Sequence, residues 1–111
     1  MAKLPSAENA IVEIRKLRDY CLSPDHPRGR HKARVFFFAL GLTADKAEVL
    51  REALLPAALS EEAILAEEDG YGRRYVLDFE ISTEAGRATV RSGWIVRRGE
   101  GSPRFTSCWM L

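Results

Sequence analysis

Cysteine, histidine and long apolar runs are scarce in this chain of 111 residues. The two cysteines, Cys21 and Cys108, match no metal-binding spacing, and we expect both to be reduced and half-buried. No apolar run approaches the ~18 residues that a membrane-spanning helix needs. The first residues also lack the apolar segment of a signal peptide. These absences favour a cytoplasmic protein that makes no contact with a membrane.

The remaining composition is that of an ordinary folded domain. Hydrophobic residues make up 46% of the chain and charged residues 30%, with eight glycines and five prolines. These values exclude a disordered or collagen-like chain. A chain of this length buries roughly 65% of the surface that its unfolded form exposes, which is enough for one core. We therefore expect a single domain over residues 1–111.

The net charge of +1 conceals an uneven distribution of charged residues. Residues 14–34 contain seven cationic and two acidic residues, a balance of +5, and residues 87–104 contain five and one, a balance of +4. Residues 45–69 contain eight acidic and two cationic residues, a balance of −6. If the fold joins the two basic regions, one face is positive and suits phosphate or nucleic acid. The alternative is a mixed, solvated surface with local ion pairs.

The first half of the chain has the apolar spacing of helices. This spacing predicts one helix over residues 13–22 and a second over residues 30–40, which Gly41 ends. Thr43 is a candidate N-cap for a third helix, and Pro56 is expected to end or kink that helix.

The second half alternates apolar and polar residues, which is typical of half-buried strands. The pattern predicts strands over residues 63–67, 75–81, 88–97 and 104–111, with a hairpin turn at residues 83–86. Helices followed by consecutive strands predict an α+β fold, with the N-terminal helices packed on one face of a four-stranded antiparallel β-meander.

The densest group of reactive side chains lies just before and within the start of the second predicted helix. His26 and His31, the only two histidines, flank Gly29 here, and Lys32 follows with two more cations, Arg28 and Arg30. Unpaired backbone N–H groups at a helix start, a glycine and cations together suit a phosphate. The sequence is not a P-loop, and the histidine spacing does not suit a metal. The alternative is a basic loop with exposed histidines.

A second group occupies the last strands. It consists of three arginines and two hydroxyl residues, namely Arg91, Arg97, Arg104, Thr106 and Ser107. A hydroxyl among arginines can hold a phosphate oxygen, although hydroxyl residues also occur in strands for their β propensity. Strict alternation places Thr106 on the same face as Cys108 and Met110, and Ser107 on the other.

A set of short motifs runs in order along nearly the whole chain: Lys16-Leu17-Arg18-Asp19-Tyr20, Asp25-His26-Pro27-x-Gly29-x-x-Lys32-Ala33-x-x-Phe36, Leu40-Gly41, Gly72-x-x-Tyr75-Val76, Gly86-Arg87, Val90-Arg91-x-x-Trp94-Ile95-Val96 and Pro103-Arg104-x-Thr106. This order resembles a small bacterial domain family of uncharacterised function. Such domains are similar to polymorphic-toxin modules of the superfamily that contains barnase, EndoU, colicin D and RelE. The resemblance implies N-terminal helices followed by a four-stranded antiparallel sheet.

The resemblance also implies a metal-independent ribonuclease that a cognate antitoxin or immunity protein neutralises. The family's site residues map to Lys32, Arg91 and Thr106. The chain departs from the family pattern at His31, where a small hydroxyl residue is commoner, and at Ser107-Cys108-Trp109, which replaces an Ala-Tyr-Pro-like ending.

These observations lead to the hypothesis of RNA cleavage through attack by the ribose 2′-OH, with transfer RNA among the candidate targets and no metal or cofactor. His31 would act as acid or base, Lys32 and Arg91 would stabilise the phosphorane, and Thr106 would bind a non-bridging oxygen. Substrate binding would fall to His26, Arg28, Arg30, Arg97 and Arg104.

A protein partner and a rival function also follow from this charge distribution. We expect the neutralising partner to be acidic where it covers residues 26–34 and 91–106. The alternative function is a module of a toxin–antitoxin or toxin–immunity pair that binds nucleic acid or protein without cleaving it.

Overall fold

The computed structural model describes residues 3–111. Helices come first and strands follow, which is the order that the sequence predicts. Helix α1 comprises Ile14–Lys16 and continues as the π-helical turn Leu17–Cys21, while α2 spans Arg30–Leu40 and α3 spans Ala47–Ser60. Short 3₁₀ turns at Ala7–Asn9 and Ala44–Lys46 precede α1 and α3. The strands are β1 (Ala63–Asp69), β2 (Gly72–Thr83), β3 (Gly86–Arg97) and β4 (Arg104–Met110).

The four strands form one antiparallel meander in the order β1-β2-β3-β4. Side chains alternate across β2, so that Tyr75, Leu77, Phe79 and Ile81 are buried towards the helices. The expected α+β fold, with the helices on one face of the sheet, is confirmed.

The core lies between this sheet face and the helices. Trp94 and Phe105 meet edge to face on neighbouring strands, with ring centroids 5.6 Å apart. Ser92 is a buried polar residue in this core, and its hydroxyl accepts a hydrogen bond from the Trp94 indole and donates one to the Leu77 carbonyl. The buried Ser92 hydroxyl thus has hydrogen-bond partners both as donor and as acceptor.

The first helix differs in kind from the regular α-helix expected over residues 13–22. Its second half is a π-helical turn, in which the Leu22 amide donates to the Leu17 carbonyl. Leu17 and Cys21 are both fully buried, and their spacing of four residues places them on the same face of the helix. Single π turns often accompany functional sites, since they redirect side chains.

Helix α2 has the predicted bounds. Ala33, Phe36 and Leu40 form its buried stripe, and Gly41 ends it with a φ of 67°. This left-handed conformation favours glycine, as the sequence indicated.

The expected N-cap of the third helix was wrong, and of the two effects expected of Pro56 the helix end is not seen. Thr43 makes no side-chain cap, because a 3₁₀ turn separates it from α3 and its hydroxyl bonds the Asp45 carboxylate instead. Pro56 does not end the helix, which continues to Ser60. Burial of Leu54, Ala57 and Ala58 on both sides of Pro56 compensates for the backbone hydrogen bond that the proline cannot donate.

The outer edge of β4 is covered rather than left open. Ile11 bridges the start of the strand, with its amide bonded to the Pro103 carbonyl and its carbonyl to the Phe105 amide. Further along, the Lys16 ammonium donates to the Phe105 carbonyl at 3.1 Å. The N-terminal segments therefore occupy hydrogen-bonding positions that an exposed edge strand would offer to other chains.

A close backbone approach fixes where α2 begins. A Cβ built on Gly29 would lie 2.2 Å from the Tyr20 carbonyl oxygen, a distance that real Cβ atoms do not show. Only glycine therefore allows the start of α2 to pack against the π-helical turn of α1.

Replacing this glycine is expected to disturb the packing of these two helices. Gly29→Ala should lower the free energy of unfolding by about 1–3 kcal/mol, because backbone must move to admit the methyl group. Urea unfolding followed by circular dichroism measures the change. Gly101→Ala is the matched control, since a Cβ there meets nothing within 4 Å. Equal losses in the two variants would contradict the interpretation.

Candidate functional site

The start of α2 lies against β4, and Lys32 links the two elements. Its Nζ donates to the Ser107 hydroxyl at 3.3 Å and to the Tyr20 hydroxyl at 3.4 Å, and it lies 5.3 Å from the centroid of the Trp109 ring. The side chain is half-buried, and no carboxylate among residues 3–111 comes within ion-pair distance of it. A partly desolvated ammonium held only by hydroxyls and aromatic rings favours an anionic ligand.

His26 belongs to the same cluster through Tyr20. The two rings meet edge to face with centroids 4.7 Å apart. His26 Nδ1 accepts hydrogen bonds from the amides of Arg28 and Gly29, at 3.0 and 3.1 Å. A nitrogen that accepts carries no hydrogen, so the neutral ring has its proton on Nε2. His26 thus organises the loop before α2 and also offers a hydrogen-bond donor at Nε2.

His31 lies elsewhere. It is the second residue of α2 and is exposed. It lies two positions before buried Ala33, so the two side chains are about 160° apart around the helix axis. It projects from the outer surface of α2, whereas Lys32 turns towards β4. Arg28 and Arg30 are also exposed near this helix start. The structure therefore brings Lys32 and His26 to the cluster and leaves these three side chains outside it.

Thr106 lies at a bulge that strict alternation did not anticipate. The register of β3 and β4 shifts between Gly93 and Trp94, and Thr106 has no partner across the strands. Its hydroxyl lies over Gly93, 2.8 Å from where a Cβ would stand. Phe105 consequently takes the core position, so the expectation that Thr106 shares the face of Cys108 and Met110 was wrong.

The bulge places Thr106 on the sheet face that the helices leave open. It lines a hollow of about 410 Å³ and a smaller one of about 180 Å³, and Arg74 lines both. Lys16, Tyr71, Ile95 and Arg97 complete the larger hollow. Lys32 therefore meets the last strand at Ser107, and Thr106 opens onto the adjoining face.

The two cysteines lie beneath the Lys32–Ser107 contact, and both are fully buried rather than half-buried. Cys21 Sγ is 3.8 Å from the Ser107 hydroxyl. Hydrogen bonding with Cys108 is the main cause that lowers the pKa of the Cys21 thiol to about 7, and the Lys32 charge adds to it. The same hydrogen bond and burial raise the pKa of Cys108. The Cys21 thiol is therefore a buried neighbour of the Ser107 hydroxyl that Lys32 contacts.

The strand arginines already have carboxylate partners. Arg91 makes a bidentate pair with Asp78 at 2.8 and 2.9 Å, and Arg97 and Arg104 both approach Glu100, at 3.9 and 3.0 Å. The second basic region of the sequence is thus partly neutralised, in line with the alternative of local ion pairs. Arg91 lies opposite Trp109 in the register, one strand away from the lysine cluster.

Sequence reasoning placed neither Tyr20 nor Trp109 beside Lys32. Both lie in segments whose residue types were noted, Tyr20 in a motif and Trp109 in the altered ending. Their contacts with Lys32 depend on how α1, α2 and β4 pack. No spacing within the sequence could have indicated those contacts.

The described part of the chain was expected to hold neither a metal site nor a membrane-spanning helix. Residues 3–111 contain no group of three or more histidine, cysteine, aspartate or glutamate side chains placed to hold a metal ion. Among the same residues, no helix combines the length and the apolar character needed to cross a membrane.

The fold and cluster define a small α+β domain with a cationic, hydroxyl-lined site at the edge of its sheet. The chain belongs to the family described as a domain of unknown function, DUF6883, whose model matches residues 3–111. The expected membership of a family without a known function is thereby confirmed. No curated protein matches the chain.

The fold is also similar to that of a chain in a contact-dependent growth inhibition toxin–immunity protein complex from Klebsiella pneumoniae 342. The TM-score is 0.70 at 19% sequence identity, and the match covers 91% of this chain and 99% of that chain. At this identity the likeness is one of fold.

The Arg91–Asp78 pair predicts a measurable pH dependence. Hydrogen bonds from Arg91 lower the pKa of Asp78 below that of an ordinary aspartate. Because this pKa is lower in the folded than in the unfolded chain, the pair stabilises the fold at neutral pH and loses that effect as acid protonates Asp78.

Carboxyl ¹³C NMR titration is expected to place the Asp78 midpoint below that of an ordinary aspartate, and Arg91→Lys should raise it because one ammonium cannot replace the bidentate contact. Arg87→Lys, on the same strand and exposed, should leave the midpoint unchanged. An unshifted midpoint in the unsubstituted chain would contradict the pairing.

Proposed function

We propose that this domain is a toxin-like, metal-independent ribonuclease that cleaves RNA through attack by the 2′-OH. The observation that carries the proposal is the Lys32 ammonium, held at the β4 edge by the Ser107 and Tyr20 hydroxyls with no carboxylate partner among residues 3–111. Such a group suits a phosphodiester, whose two non-bridging oxygens carry the negative charge that would pair with the ammonium.

RNA needs little from a protein beyond proton transfer and charge stabilisation. A base removes the 2′-OH proton, O2′ bonds to phosphorus, and an acid protonates the 5′ oxygen as its bond to phosphorus breaks. The products are a 2′,3′-cyclic phosphate and a 5′-OH end. Positioned acid and base groups contribute about 10²–10⁴-fold, and each fixed donor to the developing charge adds about 10²–10³-fold.

Lys32 would stabilise the phosphorane, and the Thr106 hydroxyl would donate to a non-bridging oxygen from the open face of the sheet. His26 would donate a hydrogen bond to the leaving 5′ oxygen from Nε2–H, the donor that remains once Nδ1 has accepted two backbone amides, and solvent water would take the 2′-OH proton and supply the proton to that oxygen. This assignment brings His26 rather than His31 to the reacting atoms, because His31 projects away from Lys32. His31 would act only if RNA also crossed the outer surface of α2.

The arginines would bind flanking phosphates. Arg28 and Arg30 are exposed beside the start of α2, while Arg97 and Arg104 lie towards the other end of the open face. Arg91 would stabilise the phosphorane only after exchanging Asp78 for phosphate, so we give it a smaller role than Lys32. An RNA strand passing from α2 across β4 would meet these groups in succession.

The comparison in fold supports a toxin-like role with a dedicated partner. The similar chain belongs to a complex of a toxin with an immunity protein, so this architecture occurs in such pairs. We propose that this domain has a cognate neutralising protein with acidic contact residues, and that its RNA targets lie in the cytoplasm.

A specific observation favours the second candidate, a module that binds nucleic acid or protein without cleavage. Three arginines predicted at the site have carboxylate partners, and one predicted acid–base residue lies outside the cluster. The same cations would then hold RNA that stays intact.

Lys32→Ala is expected to reduce RNA cleavage by about 10²–10³-fold, because the developing phosphorane loses its fixed cation. The assay incubates the full chain with total RNA, transfer RNA included, in EDTA and looks for 2′,3′-cyclic phosphate ends. Lys46→Ala removes an exposed lysine from the 3₁₀ turn before α3 and should leave cleavage unchanged. RNA that binds but stays intact would establish the second candidate.

A second pair of variants distinguishes the roles of the two histidines. His26→Asn keeps an acceptor for the amides of Arg28 and Gly29 but removes the Nε2–H donor to the leaving oxygen, so cleavage should fall about 10²-fold or more while thermal stability changes little. His31→Ala should retain most activity. The opposite ranking, with His31→Ala inactive and His26→Asn active, would restore the role predicted for His31 from the sequence.

A further inference from the structure

A wide hollow lies on the flank of α2 away from Lys32. It measures about 650 Å³ and runs between α2, the chain following α1 and the 3₁₀ turn before α3. Its lining is mainly apolar, with Leu22, Pro24, Ala33, Phe37, Phe38 and Leu42. We call it the α2 groove. Its volume falls in the range of about 300–1,000 Å³ that is usual for binding sites.

Two aromatic side chains of the α2 groove are largely exposed. Phe37 is 52% and Phe38 76% exposed, and their rings contact only at the edge, 5.6 Å apart. The buried stripe of α2 already uses Phe36, so neither ring is needed for the core. A contiguous exposed aromatic patch of this kind marks an interaction surface.

The rim of the α2 groove is positive. Arg30 and Arg34, one helical turn apart, are exposed and have no carboxylate within ion-pair distance in the described part of the chain. Asp45 on the opposite wall accepts a hydrogen bond from Thr43. Arginines without a partner beside an apolar trough suit an occupant with apolar anchors and flanking carboxylates.

We propose that the α2 groove docks an acidic amphipathic helix of a partner protein. Apolar residues at helical spacing would pack on Phe37, Phe38 and Leu42, and carboxylates on the helix flanks would pair with Arg30 and Arg34. Aromatic and arginine side chains of this type dominate the energetics of protein interfaces.

This docking site shares Arg30 with the surface proposed to bind flanking RNA phosphates, but it lies apart from Lys32 and Ser107. Arg30 and Lys32 are about 160° apart around the axis of α2, with the groove on one flank and β4 on the other. A helix in the groove therefore leaves the Lys32 ammonium and the Ser107 hydroxyl open. The partner contact expected over residues 26–34 and 91–106 stays a prediction, and the contact proposed here uses the arginines of α2 that fall in the first of these ranges.

The test uses ¹⁵N-labelled full chain and two synthetic helical peptides of about 15 residues, a length at which designed helices begin to form in water. Both have leucines at positions i, i+3, i+4 and i+7, and the remaining positions are glutamate-rich in one peptide and lysine-rich in the other. The acidic peptide is expected to bind and to shift the amide signals of Arg34, Phe37, Phe38 and Leu42. The basic peptide should bind at least about tenfold more weakly.

Variants of exposed residues test the site without depending on the core. Phe37→Ala and Arg34→Glu should each weaken binding of the acidic peptide about tenfold or more. Val35→Ala is the matched control, since Val35 is 47% exposed on the same helix but does not line the groove. Lys32→Ala should also leave the affinity unchanged, and this separates failure of the docking proposal from failure of the ribonuclease proposal.

Four results would overturn the proposal. They are no binding of the acidic peptide, equal binding of both peptides, signals shifted away from the groove, and binding unaffected by Phe37→Ala and Arg34→Glu. Signals of the groove that shift with protein concentration alone would instead identify a second copy as the occupant. That copy would offer its exposed acidic and apolar segment, which includes Leu59, Glu61, Glu62, Ile64 and Leu65.

Discussion

The approach of Gly29 to the Tyr20 carbonyl is the contact on which the arrangement of the site depends. It seats the start of α2 on the π-helical turn, and that turn packs against β4. Lys32 can therefore reach hydroxyls that lie 12 and 75 residues away in sequence, those of Tyr20 and Ser107. Hydrogen bonds of this kind depend on tenths of an ångström, so a small displacement of α2 would separate the ammonium from both.

The bounds of α2 and the strand order could be predicted because they follow from local patterns. A buried stripe ending in glycine defines α2, and alternation of buried and more exposed residues defines the centre of β2. The missed features are tertiary. A π turn forms the second half of the first helix, helical packing carries α3 past Pro56, and the bulge at Thr106 lets Phe105 enter the core. None of these features can be recognised in the local sequence pattern.

The sequence predicted several residues of the candidate site but not which residues they pair with. Lys32 and Thr106 could be selected by residue type and by resemblance, yet the partner of Arg91 is set by the strand register, which places Asp78 directly opposite. A slip of one residue would have turned that carboxylate to the other face. The two histidines differ for a similar reason. His26 is fixed by the loop that it organises, whereas His31 follows the 100° step of a helix and leaves the cluster.

Helix α2 separates three surfaces, and this separation constrains how any partner could affect the proposed reaction. Its core stripe lies between the flank that carries Lys32 and the flank that carries Arg30 and Arg34. A ligand on one flank reaches the other only across the outer surface, where His31 and Val35 are exposed. A partner helix confined to the α2 groove would thus leave a short RNA free to enter. Neutralisation from that groove requires a partner large enough to extend over His31, or an RNA long enough to need Arg30.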